Sequence, residues 1–136
     1  TLFQLEKGLS ATEFEHRPYG MELSLCQRYC YIPADGSITS GGVIATGAAY
    51  TSGNNNTPLY PKVTMRAVPT LTQNTGSGYY VYYYNATSSS TSSLTLSGAS
   101  TNDCIMLYSG ASTATGAALD LRMSNANAKL ILSAEL

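Results

Sequence analysis

From residue 41 onward the chain alternates apolar and polar positions in short bursts, separated by small polar residues. In "LYPKVTMRAVP" (59–69), Leu59, Pro61, Val63, Met65 and Ala67 share one side, and Tyr60, Lys62, Thr64, Arg66 and Val68 the other. In "ALDLRM" (118–123), Leu119, Leu121 and Met123 oppose Asp120 and Arg122. A period of two is that of a strand with one covered face. The same reading predicts strands over 41–50, 79–85, 94–97, 104–109, 117–124 and 129–136. The stretches 52–58 ("SGNNNTP"), 87–93 (the Ser/Thr tract) and 98–103 ("GASTND") read as loops and turns.

The beginning differs. "YGMELSLCQ" is rich in helix formers but shows no clean stripe, which predicts one or two helical turns at 20–27. "RYCYI" then predicts a strand at 28–32 that stops at Pro33. Residues 1–18 alternate only briefly and read as a short strand leading into an extended arm. Short strands with turn signals every 8–12 residues and no fixed-period repeat define the expected fold class. It is all-β: an antiparallel β-sandwich, jelly-roll-like, over 19–136, with an N-terminal arm (1–18) and one short helix.

Composition narrows the partners. The chain has 136 residues, enough for one core, and only 11% are charged. A net charge of −1 gives no basic footprint for nucleic acid, and no apolar run is long enough for a membrane helix. The chain begins at Thr1 rather than Met, as expected of a processed end or a fragment edge.

Catalytic chemistry finds little support. His16 is the only histidine, and G-x-S-x-G, G-x-G-x-x-G and Walker motifs are absent, so no catalytic residue and no cofactor is expected. Glu6, Glu13, Glu15, Glu22, Asp35, Asp103, Asp120 and Glu135 read as solvated or ion-paired carboxylates. Cys26, Cys30 and Cys104 lack the spacing of a zinc site and read as buried, reduced thiols, so no metal is expected.

The densest feature is "GYYVYYYN" (78–85). On a strand, Tyr79, Val81 and Tyr83 share one face and Tyr80, Tyr82 and Tyr84 the other. One row belongs in the sandwich core, and the second is too large an aromatic patch to leave bare. It meets another subunit, stacks on sugars or lies under a loop. The expectation taken forward is that Tyr79 and Tyr83 fill the core and that Tyr80, Tyr82 and Tyr84 meet a neighbouring subunit.

Three segments carry a resemblance to a known group of proteins. "LEKGLSATEFEHRPYGMELSLCQRYCY" (5–31) resembles the stretch LExGxxATxFExRxYxxELxLCQRYxY. "YPKVTMRAVPTLT" (60–72) is similar to FPVxMRxxPT, and the chain ends in "AEL" (134–136). These patterns belong to C-terminal β-sandwich domains of tailed-bacteriophage tail-fibre and head-appendage virion proteins. Glu13 stands where that pattern often has Pro, and "CYIPADGSITSGG" follows where more aromatics are usual.

The resemblance implies a non-enzymatic virion protein, a homotrimer, that attaches to the bacterial host surface through glycan. Its N-terminal arm would meet other virion proteins. A purely structural capsid decoration or connector protein is the alternative. Arg17, Arg28 and Arg66, set beside Glu13, Glu15 and Glu22, read as scaffold that pins the arm and first strand. Host contact is expected on loops, through Asn54, Asn55, Asn56, Asn74, Asn85, Ser88, Ser89, Ser90, Asn102 and Asp103.

Overall fold

The computed structural model describes Lys7, residues 16–35 and residues 41–135. The expected strand and most of the arm therefore lie outside the described residues, as do Glu13 and Glu15. One helix, α1 (Tyr19–Gln27), precedes β1 (Cys30–Ala34), β2 (Val43–Thr51), β3 (Asn54–Leu59) and β4 (Thr70–Gln73). Then come β5 (Tyr80–Tyr84), β6 (Thr87–Thr91), β7 (Thr95–Leu96), β8 (Ile105–Ser109), β9 (Ala118–Met123) and β10 (Leu130–Ser133). The strands form two antiparallel sheets, one ordered β1-β10-β4 and one ordered β6-β5-β9-β2-β3-β8-β7. The fold is an all-β, sandwich-like one with a single short helix.

The core follows from alternation. Leu119, Leu121 and Met123 of β9, Ile105 and Leu107 of β8, and Leu130 and Leu132 of β10 are buried in one cluster. Each such side chain contributes about 1.5–3 kcal/mol when fully covered. β9 also fixes the faces of β5. Tyr80 pairs with Met123 and Tyr82 with Leu121, and cross-strand partners share a face. Tyr80 and Tyr82 are therefore fully buried in the chain's own core, while Tyr83 points outward and is 44% exposed. The expected assignment is reversed for Tyr80, Tyr82 and Tyr83, whereas Tyr79 packs, partly buried, against the core as expected, and Tyr80 and Tyr82 are closed to any neighbouring subunit. Tyr84, in the same row, is half-buried against the core and donates its hydroxyl to Ser112 O at 3.3 Å.

Three strands stand where loops were expected or no element was assigned. β3 occupies most of 52–58 because Ser52–Gly53 alone makes the turn, with Gly53 at φ +90°. β6 occupies the Ser/Thr tract because Asn85 (φ 45°) and Ala86 (φ 58°) close a two-residue hairpin that sets its register. β4 pairs with β10, whose middle position in its sheet needs an edge on both sides.

Conversely, 60–69 alternates without being a strand. The Met65 N–H donates to Asn102 O (2.8 Å), and the Arg66 N–H donates to Arg28 O (2.7 Å). The segment is held by separate anchors rather than by a ladder.

Arg17 pairs with Glu22 at 3.4 Å with both side chains nearly half exposed, a contact worth little by itself. The Arg66 guanidinium lies 5.6 Å from the Tyr29 ring centre, and Arg28 contributes its backbone carbonyl to Arg66. Cys26 and Cys30 are exposed and Cys104 is half-buried, so the thiols are not the buried fillers expected from their residue type.

Candidate functional site

Antiparallel pairing divides the expected contact loops between two ends of the larger sheet. One end carries the Ser52–Gly53 turn, the Asn85–Ala86 turn and the segment 110–117. The other carries 74–79 and 98–104. Of the expected contact residues, Asn55 is closed by burial, and Asn74, Asn102 and Asp103 make hydrogen bonds within the chain.

Asn55 is fully buried: its Nδ2 donates to Ala111 O (2.7 Å) and its Oδ1 accepts from the Thr113 hydroxyl. Asn102 donates its Nδ2 to Met65 O (3.2 Å), and Asn74 donates to Asn127 O (2.6 Å). Asp103 accepts from the Thr101 hydroxyl within its own turn. The Oδ1 atom of Asn54 is buried without a partner. Ser88 and Ser90 are exposed on the edge strand β6, whereas Ser89 is half-buried opposite Tyr82.

The outer face of the larger sheet is open as well. Here Tyr83 of β5 and Asp120 of β9 are directly paired, with Arg122 next on the same face of β9. The Arg122 guanidinium sits 4.8 Å from the Tyr83 ring centre, and its Nη2 donates to Asp120 Oδ2 at 2.8 Å. The three side chains hold one another in place: cation on ring, carboxylate on cation. Arg122 Nε is buried without a partner and does not face the open site. A hollow of about 330 Å³ opens beside this cluster, lined by Tyr83, Tyr84, Asn85, Thr87, Ala118 and Asp120.

A second hollow of about 570 Å³ lies one ladder step away, since Ala118 of the first pairs with Ala48 of the second. Its walls are Ala48, Tyr50, Pro58 and Gly116, with the half-buried Asn56 among them. Tyr50 is 72% exposed.

No family model, no curated protein and no solved structure matches the chain. The site is read from its own chemistry. It offers two exposed phenol rings, one carboxylate fixed by an arginine, and the amides of Asn85 and Asn56. This arrangement can stack on an apolar ring face and pair with neutral hydroxyl or amide groups around it.

Of the expected contact residues, the site gathers Asn56 and Asn85, together with Tyr84 from the row assigned to a subunit interface. The sequence reading missed Tyr83, Tyr50, Asp120 and Arg122. The alternation of "ALDLRM" already turned Asp120 and Arg122 outward together. What it lacked was the register that sets Tyr83 against them.

Proposed function

We propose that the chain is a non-enzymatic head domain of a phage fibre or head-appendage protein that attaches to the bacterial host surface through glycan. The observation that carries this reading is the Tyr83–Arg122–Asp120 cluster beside two open hollows on one sheet face. The three segments resembling phage fibre domains support the virion setting. Asp120, tied to Arg122, serves as a fixed acceptor, and the sequence carries no G-x-S-x-G, G-x-G-x-x-G or Walker motif.

Self-association as a trimer belongs to the same proposal, with a changed surface. Tyr80 and Tyr82 are closed, whereas Tyr19, Met21, Leu23 and Leu25 of α1 and Ile32 of β1 are exposed apolar side chains suited to meeting a copy. That exposed helix also favours the second reading, a capsid decoration or connector protein whose contacts are only with other virion proteins through the arm.

Fluorescently labelled chain applied to a panel of bacterial strains separates the two. Saturable binding to a subset of strains, competed by their purified surface polysaccharide, is the expected result. Absence of binding on every strain, with the chain found on the capsid, overturns it. Light scattering checks the trimer: a mass of one chain refutes it for this domain.

A further inference from the structure

Resting on the host-glycan reading, we infer that the two hollows form one extended site for a neutral glycan that contains a 2-acetamido sugar. The charge balance selects neutrality. Among the described residues Arg122 is the one cation beside the site, and its Nη2 already donates to Asp120 at 2.8 Å, so the pair carries no net charge and a uronic or sialic acid would face the Asp120 carboxylate without a free counter-charge.

The first hollow suits a pyranose. The exposed phenol of Tyr83 offers an apolar ring beside the Asp120 carboxylate, which accepts from hydroxyls. The second hollow suits an acetamido group. Ala48 and Pro58 would meet its methyl, and the side-chain amide of Asn56, opposite Ala48 on the neighbouring strand, would pair with its N–H and C=O.

Spacing sets the length. Asp120 on β9 lies opposite Thr46 and Asn56 on β3 opposite Ala48, so the two are two inter-strand steps and two residues apart, about 12 Å. One ring does not span that distance, so the sugar on Tyr83 and the acetamido sugar at Asn56 are successive units of a chain.

The test is amide-resolved NMR titration of the full chain with a set of neutral disaccharides. The set contains gluco, galacto and manno members, each with and without the 2-acetamido group, plus a uronic acid disaccharide. At least one acetamido member should shift the amides of Ala48, Asn56, Ala118 and Asp120. It should bind about tenfold more tightly than its parent hydroxyl sugar, and the uronic acid should be weaker still. Tyr83→Ala and Asn56→Ala, each with an unchanged thermal midpoint, should weaken binding about tenfold. The inference is overturned if no acetamido sugar shifts these amides, if the acetamido and parent sugars bind equally, or if both folded variants bind as before. Cell binding without acetamido preference removes this inference and leaves the host-attachment reading standing. Acetamido binding without binding to any strain does the reverse.

Discussion

Strand β5 and helix α1 are similarly loaded with large apolar side chains, yet Tyr80 and Tyr82 are fully covered while Tyr19 is 80% and Met21 56% exposed. The difference lies in periodicity and neighbours. β5 has a strand on each side and an apolar row of β9 in register with it, so every second tyrosine falls into one shared core. In α1 the apolar residues stand at 19, 21, 23 and 25, a spacing of two. A helix turns such a spacing around all of its sides, so no single face can be buried, and none of its residues is. Apolar content tells how much surface a segment would hide. Agreement between its period and its element decides whether it can.

The largest expected effect tests that contrast directly. Tyr80→Ala should cost about 3–5 kcal/mol, since it empties a fully covered site and removes the hydrogen bond from the Tyr80 hydroxyl to Lys129 O (2.7 Å). Met21→Ala in α1 should change stability by about 0.5 kcal/mol or less. Urea unfolding midpoints measure both. A cost for Met21→Ala approaching that of Tyr80→Ala, growing with protein concentration, would show that the helix is covered by another copy and that the comparison holds only for the isolated chain.

Glycines sharpen it next. A Cβ on Gly47 of β2 would lie 2.1 Å from Asn56 O and 2.7 Å from Thr57 Cα, both backbone atoms that cannot swing aside. Gly47→Ala should therefore cost about 3 kcal/mol as β2 and β3 are forced apart. Gly20 in α1 has nothing within 4 Å, and Gly20→Ala should be neutral or stabilising by up to about 1 kcal/mol through helix propensity. Thermal melts of the two variants should move in opposite directions, or only the first should move. A tolerated Gly47→Ala would mean that the two strands are not so closely paired.

The same logic explains what could be read from residues alone. The inward row of β9 was legible because Leu119, Leu121 and Met123 alternate with charges. The helix was legible from its composition. β5 was misread because both of its rows are apolar, so alternation carries no sign and only pairing with β9 supplies one. β6 and β3 were misread because serine, threonine and asparagine suit loops by default, while a two-residue turn with positive φ converts them into paired strands. The site suffered most from this. Tyr83 and Asp120 are 37 residues apart in sequence and meet only through that register.

The smallest effect concerns the hydroxyl that the core holds without a partner. Tyr82 OH is buried and makes no hydrogen bond, although the hydroxyls of Ser109 and Thr57 lie near enough to soften the cost of its ionisation. Tyr82→Phe keeps the ring and removes the stranded polar atom, so at neutral pH it should be neutral or stabilising by about 1 kcal/mol or less. In alkali the gain should grow. Burial raises the Tyr82 pKa above its ordinary 10.0, and it pushes Tyr80 up to about 12. The folded chain therefore holds these phenols neutral after the unfolded chain has begun to release their protons. The stability they contribute is complete below pH 10 and is lost as pH rises beyond it, for Tyr80 as pH climbs toward about 12. Urea midpoints of wild type and Tyr82→Phe should lie close together at about pH 8 and separate in favour of Phe above pH 10. A marked loss of stability for Tyr82→Phe at neutral pH would instead mean that the hydroxyl has a partner, such as a buried water shared with Ser109 and Thr57.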